Sequence, residues 1–258
     1  MKGFSTERLI GFLSERSRLV RTNNPRIGSW ARNYLERCLA NGEAVTILSQ
    51  WCISKDLEER WKKQGDVFLP TAGEVALFRR EIPAVLAAFR REGLMIGWWL
   101  TLNRSYLDSG RITKGIEDRY KKMIEELAMP LGQDLLLVDW EDEVLGGRPG
   151  PSIEVMANLN AYVPPGAFEV ELRRHSTWTK EAGLRLTPAQ LEGEVRHQVA
   201  CEAEEGRFLL SRESPFPGGE FILIPLEAAE RYDFFTLLAK GFKERIVTAL
   251  PFYPWRLE

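Results

Sequence analysis

Three apolar runs of strand length, AVTILS (44–49), LMIGWWLTL (94–102) and DLLLVDW (134–140), are separated by stretches with helical periodicity. Parallel neighbours cannot be joined by a tight turn and need a crossover, which a helix makes compactly. Strand, helix, strand, helix, strand is therefore the grammar of a parallel sheet covered by helices. The expected fold class is α/β: a mostly parallel sheet with helices on both faces and a helix-rich C-terminal part.

The helices are marked by apolar spacing and by their ends. Leu9, Ile10, Leu13 and Leu19 predict a first helix over about 5–20, and SWARNYLERCLANG a second, closed by Asn41-Gly42. Ser54 is a candidate N-cap for a helix over KDLEERWKKQ that stops at Gly65. Thr71 and Glu74 have capping-box spacing, with Val75, Leu77 and Phe78 expected inward, and Pro83 predicts a restart or kink before Val85, Leu86 and Phe89. Ile116, Tyr120, Met123, Ile124 and Leu127 share one side of a helix over 114–128. GGRPGPS (146–152) breaks the rhythm and predicts a boundary between a core, 1–145, and a helix-rich part, 153–258, packed on that same core. In the second part helices are expected at 167–181 and from Thr187, Pro188 and Gln190 to about 210, with EFILIPL (220–226) as a last strand.

Composition narrows the function. Lys and Arg number 35 against 37 Asp and Glu, a net charge of −2, so no global basic field holds nucleic acid. No apolar run approaches the roughly 20 residues that cross a membrane, and the N-terminus lacks a signal-peptide core. Cys38, Cys52 and Cys201 are odd in number and widely spaced, which suggests a reducing compartment; the expected location is the cytoplasm. There is no glycine-rich dinucleotide fingerprint, no Walker-type phosphate loop and no G-x-S-x-G elbow. His175 and His197 stand far apart and no cysteines are paired, which argues against a zinc site built mainly from His and Cys. The expectation is a chain without a metal or other cofactor.

Open parallel sheets bind ligands beyond the carboxyl ends of their strands. That rule gathers SQWCISK (49–55), NRSYLDSGR (103–111) and DWEDE (139–143) on one rim. Lys55 would fall in the first turn of a helix, where the dipole disfavours a cation and lowers an amine pKa. It reads as a Schiff-base lysine or as a solvated surface residue. Arg104, Arg111 and Lys114 can bind a phosphate, or Asp108 can pair one of the arginines in a solvated loop. Asn103 and Tyr106 can orient a polar substrate or satisfy a turn. Asp139, Glu141 and Asp142 suit Mg²⁺ or an exposed acidic turn. Glu74 reads first as a cap. His197, Cys201 and Glu205 recur at i, i+4, i+8 on one helix face, either as an acid/base pair two turns apart or as a core-edge histidine beside a solvated EAEE patch. Trp98 and Trp99 point to opposite faces of a strand, as core residues do.

Over residues 42–145 of the 258, the order of motifs resembles the isocyanide (isonitrile) synthase family, related to the dityrosine and pyoverdine biosynthesis proteins. In that pattern a first strand leads to an aromatic and then a lysine, matched by Trp51 and Lys55. A PD-x-G-E box follows, matched by PTAGEVAL (70–77) with Thr71 in place of Asp. A strand ending in Ser-Asp-Gly comes next; Asn103 and Arg104 stand at its Asp-Gly, and Tyr106 and Asp108 fit the aromatic and Asp after it. GIEDRYKKM matches the helix that ends in Tyr, here Tyr120. The resemblance implies a Rossmann-like fold and an enzyme that condenses an amino-acid amine with ribulose 5-phosphate. Lys55 would then form an imine or act as acid/base, with Arg104 or Arg111 on the phosphate.

A second likeness is to the tRNA-dependent cyclodipeptide synthases, also Rossmann-like. Their nucleophilic serine would be Ser49, and their helical Tyr-x-x-x-Glu pair would fall on Cys201 and Glu205, with Ser214-Pro215 shortly after. Under that alternative tRNA is a partner; under the first, an amino acid and a phosphosugar. A third possibility is a Rossmann-like binding domain without chemistry.

Overall fold

The computed structural model describes residues 6–16, 25–52, 64–65, 67–103, 114–147, 151–163, 165–181, 185–209, 220–224 and 226. Four parallel strands lie in the order β3-β2-β1-β4, formed by β1 (Val45–Cys52), β2 (Ile96–Asn103), β3 (Leu135–Asp139) and β4 (Ile222–Leu223). The three apolar runs are thus adjacent strands, as expected, with β1 and β2 extending to Cys52 and Asn103. Rossmann-like α/β architecture follows from this order and from the helices on both faces.

Helices α1 (Thr6–Arg16) and α2 (Pro25–Asn41) precede the sheet. The second begins before the apolar pattern does, because Pro25 supplies a ready-made φ at the first helical position and costs no donor there. It closes at Gly42, whose φ of +65° is the left-handed conformation such a stop requires. Between β1 and β2, α3 (Ala72–Ala76) runs through a π turn (Leu77–Glu81) into α4 (Ile82–Arg91). The π turn has a local cause. Pro83 has no N–H and crowds the carbonyl four residues back, and the widened turn, with Ile82 N–H on the Leu77 carbonyl, takes up the misfit. Val75 was expected inward but is exposed. Glu74, Leu77 and Phe78 hold the i, i+3, i+4 face instead, so the inward position belongs to the carboxylate.

Helix α5 (Lys114–Ala128) and a 3-10 segment (Met129–Asp134) lead into β3, and a π turn (Trp140–Val144) leaves it. The C-terminal part holds α6 (Ile153–Ala157), α7 (Leu159–Tyr162), α8 (Ala167–Glu181) and α9 (Pro188–Leu209). Thr187 and Gln190 form the expected cap of α9: Gln190 N–H donates to Thr187 Oγ1 at 3.2 Å, and Thr187 N–H to Gln190 Oε1 at 2.9 Å. Of EFILIPL only Ile222 and Leu223 pair with β1.

Strand alternation sorts the core. Val45, Ile47, Trp98, Leu100, Leu102 and Leu135 meet α1, α2, α4 and α5 on one face. Leu48, Trp99, Phe221 and Leu223 meet Trp140 and Leu209, at the end of α9, on the other. Trp98 and Trp99 do face opposite sides. A third cluster, around Val155, Leu159, Val195 and Val199, packs α6 to α8 against α9. Among the described residues no helix is long and apolar enough to cross a membrane.

Candidate functional site

The chain leaves β1 toward β2 and β3 and returns on β1's other side as β4. The strand order therefore reverses between β1 and β4, and the crevice beyond their carboxyl ends is where a sheet of this kind binds ligands. Backbone register brings two of the sequence candidates to that end. Trp51 lies beside Leu102, and Cys52 beside Asn103, in the last rungs of the β1–β2 ladder. Lys55, Arg104, Tyr106, Asp108 and Arg111 lie outside the described residues.

Ser49 is buried one turn of the pleat before this rim. Its hydroxyl donates to the Ile224 carbonyl at 2.6 Å and accepts from the Trp98 indole N–H at 3.0 Å. The group thus spans β2, β1 and the residue that follows β4, at the point where the order reverses.

On the first face, Glu74 completes the capping box of α3. Its Oε2 accepts the Thr71 N–H at 2.6 Å, and Thr71 Oγ1 accepts the Glu74 N–H at 3.1 Å. The other oxygen, Oε1, accepts the Tyr120 hydroxyl at 2.8 Å, and both side chains are buried. The next residue on α5, Lys121, pairs with Asp139 at the end of β3, 3.1 Å away. Asp139 is also a cap: its Oδ1 accepts the Asp142 N–H at 3.0 Å. The acidic segment DWEDE is therefore not an exposed turn throughout, since Asp139 and Glu141 are buried. Among the described residues no group of three His, Cys, Asp or Glu side chains is arranged to hold a metal ion.

On the second face, the end of α9 meets the sheet. Leu209 packs on Leu48 and Leu223; one and two turns earlier come Glu205 and Cys201, and Cys201 feels the charge of Glu141, just beyond β3. His197 Nε2 lies 3.6 Å from Cys201 Sγ. Glu202 and Glu205 are buried rather than solvated. The reason is that α9 is covered on several sides, with Ala200, Ala203 and Gly206 allowing close approach. Burial, reinforced by Glu202, Glu141, Glu205 and Glu204, pushes the Cys201 thiol well above its ordinary range. On α8, burial raises the Glu171 carboxyl, but hydrogen bonds from His175 and Arg174 outweigh it and hold the group below the usual range.

Sequence reasoning missed the Glu74–Tyr120 bond and the burial of Glu141 and Glu202. A tyrosine on the apolar face of α5 was the available signal for the first, because a buried hydroxyl must find a partner. The other two had no local signal.

No protein-family model matches this chain, and no curated protein is similar to it in sequence. Among solved structures it is similar to the PvcA protein from Pseudomonas aeruginosa, with a TM-score of 0.58 at 12% identity, over 85% of this chain and 78% of that one. A tryptophanyl-tRNA synthetase from Encephalitozoon cuniculi bound to tryptophan covers 86% of this chain and 56% of its own at 15% identity. Its TM-score is 0.38. What the likeness to PvcA establishes is the α/β, Rossmann-like fold.

Proposed function

We propose that this chain is an isocyanide synthase-like biosynthetic enzyme that joins an amino-acid amine to the carbonyl of a phosphosugar. The observation that carries the reading is the convergence of the family-like motifs. Trp51 and Asn103 lie in the last two rungs of adjacent strands, and the PTAGEVAL and GIEDRYKKM segments are bonded through Glu74 and Tyr120. Motifs far apart in sequence are thus paired two by two, on a fold shared with PvcA, and this pairing supports the reading. In this reading Lys55 supplies the amine, or acts as acid/base, on the sugar carbonyl. Arg104 or Arg111 holds the phosphate through forked donors, and Asn103, Tyr106 and Asp108 orient the reacting groups. No observation favours the tRNA-dependent alternative, since the Ser49 hydroxyl is engaged inside the sheet.

The test is to incubate the purified chain with ribulose 5-phosphate and each proteinogenic amino acid, capture any isocyanide with a tetrazine, and read the adduct by mass spectrometry. A nitrogen-15 label on the amino acid should appear in the captured product. If no amino acid gives an adduct and calorimetry detects binding of neither substrate, the reading is wrong.

A further inference from the structure

We propose that Tyr120 is a positioning residue that locks the chain returning from β1 to the helix that follows β2, and so fixes the carboxyl rim. The side chain holds the strap 68–74 at two points. Its ring meets Phe68 edge-on, with centroids 5.6 Å apart and planes at 76°. Its hydroxyl donates to Glu74 Oε1 at 2.8 Å, while the other carboxylate oxygen takes the Thr71 N–H that starts α3. The strap is further closed by the Leu69 N–H on Gln64 Oε1, 3.0 Å. One residue along α5, the Lys121–Asp139 pair ties the same turn to the end of β3. A single turn of α5 therefore fastens the connection that follows β1 on one side and the terminus of β3 on the other.

Packing alone does not ask for this chemistry. Burying a carboxylate is costly, and a phenylalanine facing an apolar side chain of similar volume fills the same space at no such cost. A hydrogen bond between two buried groups does what dispersion does not: it confines the two atoms to a narrow range of distance and a preferred direction. The pair is thus suited to setting the position of the strap rather than to adding stability.

The consequence for substrate rests on the isocyanide synthase-like reading. A strap that must be ordered by the ligand lowers affinity without altering the reacting groups. In the full-length Tyr120→Phe variant, amides 71–75 should exchange hydrogen about tenfold faster, as loss of one hydrogen bond implies, with sheet amides unchanged. With an amino acid and ribulose 5-phosphate, KM for the sugar phosphate should rise about five- to tenfold while kcat stays within about twofold. Unchanged exchange at 71–75 overturns the proposal whatever the reaction proves to be, and so does an unchanged KM in an active enzyme. Faster exchange in a chain whose wild type has no turnover supports the lock and overturns the functional reading instead. Should Tyr120→Phe fail to fold, Phe68→Leu decides: it removes the ring contact, keeps the hydroxyl, and should show the same local exchange.

Discussion

The Trp98 indole N–H donates to the Ser49 hydroxyl at 3.0 Å in the interior of the sheet, and Ser49 in turn donates to the Ile224 carbonyl. β4 pairs with β1 through two residues, and this hydroxyl adds to the Ile224 N–H bond on the Leu48 carbonyl and to the burial of Phe221, Ile222, Leu223 and Ile224 in holding it there. Ser49→Ala leaves a buried donor and a buried acceptor unmatched. The expected loss is about 2–3 kcal/mol, since each such group costs on the order of 1–3 kcal/mol. Thermal and denaturant unfolding should both report it. A change below about 0.5 kcal/mol, the range of a neutral surface substitution, would mean that the relay contributes nothing.

Two glycines should respond with opposite sign to the same added methyl group. Gly42 has φ of +65° with open space around its Cβ position, so Gly42→Ala meets no clash but must hold a left-handed backbone. That conformation costs a non-glycine residue roughly 1 kcal/mol. Gly193 lies inside α9, is exposed, and also has nothing within 4 Å of an added Cβ. There alanine is the better helix former, and Gly193→Ala should stabilise by about 0.5–1 kcal/mol. Denaturant midpoints moving the same way in both variants would contradict this account.

What was legible in the sequence depended on how local its cause was. The strands of the parallel sheet are covered on both faces, so their apolar runs are continuous and readable. The caps at Thr71–Glu74 and Thr187–Gln190 need partners only three residues away. The Asn41-Gly42 stop was equally plain. By contrast, EAEE read as solvated because nothing within α9 says that other elements will cover it; the burial of Glu202 and Glu205 was decided by packing from elsewhere. The bond from Tyr120 to Glu74 spans 46 residues, and the one from Trp98 to Ser49 spans 49. Such contacts appear only once strand order and register are known, which is why Ser49 read as a candidate site residue rather than as a link between strands.

Cys201 should make stability fall in alkali. Its thiol is raised well above the ordinary 9.0 by burial first and by Glu202, Glu141, Glu205 and Glu204 after that. Below pH 9 the cysteine is protonated in both folded and unfolded chains, and no penalty arises. Above it the unfolded chain ionises while the folded one does not, so the unfolded state gains about 1.4 kcal/mol per pH unit from this group. Tyr34, pushed up to about 12, and Cys38 act in the same direction, so the wild-type slope is a sum. The difference between wild type and Cys201→Ala isolates one thiol. Urea unfolding at pH 8, 9 and 10 should show the variant losing less stability across the series, and parallel curves would refute the assignment. Native labelling with iodoacetamide near pH 8 should likewise spare Cys201 and reach it after unfolding.

The last prediction concerns Lys55, whose role rests on the sequence and on the proposed reaction. Condensation with a ketose phosphate needs a group that can add to the carbonyl or move its proton, and the family-like spacing after Trp51 assigns that work to Lys55. Lys55→Arg keeps the positive charge but does not readily form an imine; Lys55→Met keeps much of the side-chain volume without the amine. Both variants should fold, shown by circular dichroism and unchanged unfolding midpoints. Both should lose at least about 100-fold in kcat, the scale of a lost acid/base or covalent group. Borohydride added with ribulose 5-phosphate should leave a mass adduct on the intact wild-type chain and none on either variant, and peptide mapping should place it at Lys55. Loss of turnover without an adduct assigns acid/base work rather than a covalent role. Full activity in both variants, with no trapped adduct, removes Lys55 from the mechanism and leaves the rim at most a place where substrates bind.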